Sequence, residues 1–84
     1  MEQGSASKRD VHGHAVFGDE SVKKGMDYLD YELQLDEVEV FFHQAKTLGA
    51  AEFEDRQNHN YTLTYNGDGT YTLTGRKADG SSWF

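Results

Sequence analysis

A β-hairpin signature at residues 61–77 constrains the fold of this chain more than any other segment. It reads YTLTYNGDGTYTLTGRK. Residues 66–70 have the composition of a type I turn that is followed by a left-handed glycine and a G1 bulge. Pairing across this three-residue loop sets Tyr65 opposite Tyr71 and Leu63 opposite Leu73. One face of the hairpin then carries Tyr61, Leu63, Tyr65, Tyr71 and Leu73, and the other carries Thr62, Thr64, Thr70, Thr72 and Thr74.

An amphipathic helix is predicted over residues 37–48, before the hairpin. Asp36 has the position of an N-cap, which Glu39 completes as a capping box, and Gly49 suits the C-terminal end. The apolar side chains that recur at helical spacing are Val38, Phe41, Phe42, Ala45 and Leu48. A strand at the start of this segment is the alternative, because Val38, Val40 and Phe42 also alternate with their neighbours.

The segment over residues 20–35 admits two interpretations. Tyr31, Leu33 and Leu35 alternate with polar residues, which predicts a half-buried strand over residues 28–35. The competing helix has its apolar positions at Val22, Met26, Leu29 and Leu33. The strand is preferred because Gly25 interrupts the helical pattern. A further strand is predicted over residues 50–56, with Ala51 and Phe53 pointing inward.

These elements predict an α+β domain in the order β-α-β-β(-β), with one helix packed on a small antiparallel sheet that ends in the hairpin. The helical stripe is expected to cover the tyrosine and leucine face of the hairpin. Residues 1–13 are polar and are assigned to a flexible tail, and residues 14–84 to a single small domain.

The composition of the chain limits the cellular compartment and the cofactors that we expect for it. The chain has no cysteine, which excludes disulfides and cysteine-based metal sites and is consistent with a reducing cytoplasmic setting. Its first residues lack the apolar run of a signal peptide, and no segment approaches the length of a membrane span. We therefore expect a cytoplasmic protein that has no membrane partner.

Negative charge is concentrated in the middle of the chain. The net charge is −7, and residues 27–55 hold nine acidic side chains against Lys46 alone. Such a field repels nucleic acid and steers a basic partner, although acidic residues also serve solubility. The predicted partner-binding residues are Asp27, Asp30, Glu32, Asp36, Glu37, Glu39, Glu52, Glu54 and Asp55, with Trp83 and Phe84 as aromatic anchors.

The histidines are the only candidates for chemistry. His12 and His14 form an H-x-H pair, which can bind a metal from a strand, and His43 or His59 could act as a general base. No nucleophile, metalloprotease or phosphate-loop motif accompanies them. We therefore expect no enzymatic activity, no cofactor and no bound metal.

The sequence predicts a small acidic protein-interaction module that binds a protein partner with a basic surface. Its limiting form is an inhibitor that mimics nucleic acid with its carboxylates. The alternative is a structural domain that self-associates, as a homodimer, through an open strand edge or through Trp83 and Phe84. A second alternative is a weak metal-binding or enzymatic role through the histidines.

Overall fold

A computed structural model describes residues 7–76, which form a five-stranded sheet with a helical layer on one face. The strands are β1 (Ser7–Val11), β2 (His14–Gly18), β3 (Ala50–Glu54), β4 (Asn60–Tyr65) and β5 (Thr70–Arg76). The helical layer comprises a 3-10 turn (Glu20–Val22), α1 (Lys23–Asp27), a π-helical turn (Tyr28–Glu32) and α2 (Leu35–Leu48). The predicted α+β class is confirmed.

The strand order is β1-β2-β5-β4-β3, so the last strand of the chain lies at the centre of the sheet. The predicted sheet was wholly antiparallel, whereas the observed one is mixed, because β5 pairs with β2 in parallel. All other neighbouring strands are antiparallel. Within the described residues, β1 and β3 are the two edges of the sheet.

The predicted register of the terminal hairpin is confirmed. Leu63 pairs with Leu73 and Tyr65 with Tyr71, and the leucines and Tyr71 are buried under the helical layer. The turn differs from the prediction, because Gly67 and Gly69 both adopt positive φ, at 89° and 92°. A type I turn needs negative φ at the first of these positions. Glycine at both positions permits the alternative at no steric cost.

Residues 20–32 are helical, so the predicted strand over residues 28–35 is wrong and its helical alternative is right. Val22, Met26 and Leu29 are buried. Of the three residues whose alternation favoured a strand, Tyr31 is 74% exposed and Leu35 is exposed as well, and only Leu33 packs against the core. Gly25 does not break the helix. It lets the helix approach Tyr61, since a Cβ at Gly25 would lie 2.7 Å from Cε1 of that ring.

Helix α2 confirms the prediction for residues 37–48, with two corrections. It begins at Leu35, and its N-cap is Gln34. The backbone N–H of Gln34 donates a hydrogen bond to Oε1 of Glu37 at 3.1 Å, so the predicted cap formed by Asp36 and Glu39 is wrong. The side chain of Leu48 is 71% exposed, although we predicted it as part of the buried stripe. The buried positions are Val38, Phe42 and Ala45, with Phe41 half-buried, and Gly49 ends the helix at φ 97°.

The N-terminal hairpin was not predicted. Ser7–Val11 pairs with His14–Gly18, whereas the sequence analysis assigned residues 1–13 to a flexible tail. Val11 and Val16 are fully buried, and their burial attaches this hairpin to the core. The polar composition of the segment gives no indication of it. The predicted anchors Trp83 and Phe84 lie outside the described residues, so their role stays a prediction.

Candidate protein-binding surface

The predicted acidic residues are divided between the two sides of the sheet. Because Ala51 and Phe53 are buried under the helical layer, the alternation of β3 directs Glu52 and Glu54 to the opposite face. Six of the acidic residues lie in the helical layer and Asp55 follows β3 in its turn to β4; the six are Asp27, Asp30, Glu32, Asp36, Glu37 and Glu39. They therefore do not form one continuous acidic surface.

Arg9 of β1 holds two of these carboxylates. Its Nη1 atom lies 2.9 Å from Oδ1 of Asp27 and 3.6 Å from Oδ2 of Asp30, and Lys23 lies 3.3 Å from the other oxygen of Asp27. The hydrogen bond from Arg9 is the main cause that lowers the pKa of Asp27, and Lys23 adds to it. This group attaches the edge strand β1 to the helical layer.

A second contact between the layers joins His14 of β2 to Glu39 of α2, with 2.9 Å between Nε2 and Oε2. The imidazole stacks on Phe42 at a centroid distance of 4.0 Å and meets Tyr71 edge-on at 5.7 Å. Burial is the main cause that raises the pKa of Tyr71, and the charges of Tyr65 and Glu39 add to it. His14, the first residue of the predicted domain, therefore takes part in helix–sheet packing.

The turn between β3 and β4 is built around Asp55. Its carboxylate accepts from the amides of Gln57 and His59 at 2.9 Å each, from the Tyr61 hydroxyl at 3.1 Å, and lies 3.2 Å from Nδ1 of His59. Burial raises the pKa of Asp55, but these hydrogen bonds together bring it below the ordinary value. Burial and the charge of Asp55 raise the pKa of Tyr61 to about 12.

The pairing of His59 with Asp55 resembles the orienting half of a catalytic dyad, but the network involves only the turn and the start of β4 and contains no nucleophile. A crevice of about 290 Å³ beside it is lined in part by Tyr28 and Asp55, and by the ion pair of Arg56 with Glu32 at 2.9 Å. These contacts account for the order of the turn itself. Within residues 7–76, no three histidine or carboxylate side chains are placed to hold a metal ion.

Several of the predicted site residues lie within ion-pair distance of a basic side chain; among them are Asp27, Asp30, Glu32, Glu39 and Asp55. Glu37 contributes to the N-terminal cap of α2. Asp36 at the start of α2 and Glu54 at the end of β3 are exposed. Glu52 is exposed as well and lies between Ala51 and Phe53 on the sheet edge.

The edge of β3 is the feature that sequence reasoning undervalued. Edge strands of natural proteins are usually protected by lysine, proline or a bulge, but the strand reads AAEFE and its pairing with β4 is regular. The available signal was that residues 50–54 contain neither lysine nor proline. The helix end beside this strand leaves Leu48 exposed.

Comparison of the chain with protein-family models, with curated proteins and with solved structures gives no match. Among residues 7–76, no helix combines the length and the apolar character that crossing a membrane requires.

Proposed function

We propose that this chain is a protein-interaction module without catalytic activity that binds a partner protein with a basic surface. One observation carries the proposal: Arg9, Lys23 and Arg56 are engaged in ion pairs within the chain. Each of these pairs neutralises a carboxylate together with a base, so the net charge of −7 is unchanged by them. Asp36 and Glu54 are among the carboxylates that remain exposed to solvent.

A negative field of this kind acts mainly on the rate and the selectivity of association. It accelerates encounter with a basic surface and disfavours acidic ones, and it is screened over roughly 8 Å at physiological ionic strength. Exposed surface ion pairs contribute only about 0 to 1 kcal/mol each, so several carboxylates must act together. Binding is therefore expected to weaken steeply as salt is added.

The distribution of the carboxylates supports this general form of the proposal more than the nucleic-acid mimic. A mimic requires a continuous series of charges that imitates phosphate spacing. Here the acidic residues are divided between two sides of the sheet, and several of them make contacts that hold the fold together. A basic partner protein needs no such series, because it can be attracted by the field of the whole chain and contact only one side of the sheet.

The experiment is affinity capture from host lysate at low and at high salt, followed by reconstitution with the purified partner. The test variant combines Asp36→Asn with Glu54→Gln. The control combines Asp10→Asn with Glu20→Gln and removes the same charge from other exposed positions. Asn at position 10 keeps an acceptor for the Gly13 amide, which Asp10 binds at 2.8 Å.

We expect a basic partner that is retained at low salt, released at high salt, and bound more weakly by the test variant than by the control. A partner of acidic or neutral surface, or one that is retained equally at both salt concentrations, would contradict the proposal. A dimer mass for the purified chain with no captured partner would favour the self-associating alternative.

A further inference from the structure

We propose that the outer edge of β3 accepts an extended strand of the partner, in which basic residues alternate with apolar ones. The inference rests on the proposed function, since it names the surface through which a basic partner is bound. Adding a strand to an open sheet edge is a common mode of peptide recognition, with main-chain hydrogen bonds giving affinity and alternate side chains giving selectivity.

The hydrogen bonds at the two ends of β3 establish which backbone groups face outward. The amide of Asp55 donates to the carbonyl of His59 at 3.0 Å, and the carbonyl of Gly49 accepts from the amide of Tyr65 at 3.0 Å. Odd-numbered residues of β3 thus direct their N–H and C=O groups toward β4. Because these directions alternate along an antiparallel strand, Ala50 and Glu54 direct theirs away from the sheet.

Among residues 7–76, β4 is the only strand that pairs with β3. The other edge of the sheet differs in kind. Strand β1 carries the charged run Lys8, Arg9 and Asp10, and Arg9 is held by the carboxylates of Asp27 and Asp30. Charged residues on an edge oppose the addition of a further strand, and β1 carries both signs of charge. The charged residues of β3 are glutamates that share one face, so this edge opposes an acidic strand and admits a basic one.

An apolar shelf flanks this edge on the side of the helical layer. The Phe41 ring of α2 lies 5.3 Å from the Phe53 ring of β3, and the Tyr28 ring stacks with Phe53 at 6.1 Å. Leu48 follows Phe41 by seven residues and so occupies the same flank of α2. Its side chain is 71% exposed, which offers an apolar contact to alternate residues of a docked strand.

Charge selects the remaining residues of the docked strand. Glu54 is exposed on the face opposite to the helical layer, so a strand beside it is favoured when its residues on that face are lysine or arginine. A second copy is disfavoured in the symmetric antiparallel register centred on position 52. That register places Glu52 opposite its own equivalent, and like charges in this position are destabilising.

The probe is a short acetylated peptide that alternates lysine and valine, titrated into the isotopically labelled chain and followed by amide chemical shifts and hydrogen exchange. The controls are a peptide that alternates glutamate and valine and one that has all lysines before all valines. We expect shifts and new exchange protection at the amides of Ala50 and Glu54 with the first peptide only. The amides of Ala51 and Phe53 already pair with β4 and should gain little protection.

Two variants test separately the charge of Glu54 and the apolar contact of Leu48. Glu54→Lys should weaken binding of the alternating peptide by about fivefold, because one favourable cross-strand pair becomes a repulsive one. Leu48→Ser removes the apolar contact and should also weaken binding. The matched controls are Glu20→Lys and Val40→Ser, and Val40 is itself an exposed apolar residue of α2 at 60%. Both controls should bind like the parent chain.

The inference is overturned if the peptides leave the β3 amides unchanged, if the glutamate peptide binds equally, or if the controls lose as much affinity as the test variants. Shifts at Ala50 and Glu54 that depend on protein concentration without peptide would also overturn it, in favour of a second copy. If the edge fails but salt-dependent capture of a basic partner persists, the proposed function stands and another surface carries it. If that capture fails as well, both fail.

Discussion

Replacement of Leu73 by alanine tests the assignment of the two faces of the sheet. Leu73 lies on β5, the central strand, opposite Leu63, and the two side chains are 1% and 0% exposed. Truncation of a buried leucine costs about 2 to 5 kcal/mol, with the larger values where the cavity cannot collapse. A site enclosed by strands on both sides and by helices above has little room to relax, so we expect a loss of at least about 3 kcal/mol.

The effect is large relative to the stability of the domain. A chain of this length is stabilised by roughly 4 to 13 kcal/mol, and about 3 kcal/mol corresponds to a fall in melting temperature of roughly 12 to 24 °C. Urea denaturation followed by circular dichroism measures the free energy of unfolding. The matched control is Thr72→Ala, which changes the adjacent residue on the opposite face and should cost less than about 1 kcal/mol. A loss below about 1 kcal/mol for Leu73→Ala, or equal losses for both variants, would refute the assignment.

Three further predictions concern individual contacts. Gly25→Ala should lower the melting temperature, because the new methyl group would lie 2.7 Å from the Tyr61 ring, whereas a gain in stability from helix propensity would show that this approach is not close. Ultraviolet titration should show a phenol with a pKa of about 12 that disappears in Tyr61→Phe, and its persistence in that variant would contradict the assignment. Asp27 has a lowered pKa because Arg9 binds its charged form, so its contribution to stability is present above the unfolded pKa and is lost as the pH falls through the folded one. Asp27→Asn should therefore reduce the acid sensitivity of the unfolding free energy, and an unchanged pH profile would exclude this ion pair as a source of stability.

The parts of the fold that were predictable are those in which local pattern and tertiary packing agree. Leu63 and Leu73 alternate with threonine on either side of a glycine-containing turn, and this pattern fixes both the register and the buried face. The segment over residues 28–35 was mispredicted because Tyr31 and Leu35, which complete its alternation, are exposed in the fold. Local sequence presents Gly25 as a helix breaker, because the reason for a glycine here is its close approach to Tyr61, which is distant in the sequence.

Contacts between residues distant in the sequence also limit what could be predicted of the candidate site. Charge counting located the carboxylates, but it could not assign their partners, because Arg9 is 18 residues from Asp27 and His14 is 25 residues from Glu39. Strand β1 was missed since its sequence, SKRDV, has a single apolar residue. Only the topology shows that β3 lies at an edge, with Glu54 on the face opposite to the helical layer.

The most direct test of the proposed function is the salt dependence of partner capture, with the mass of the purified chain recorded in parallel. We predict a monomer that retains a basic protein at low salt and releases it at high salt, with weaker retention by the variant that combines Asp36→Asn and Glu54→Gln. Capture that is insensitive to salt and to these substitutions would contradict binding through the exposed carboxylates.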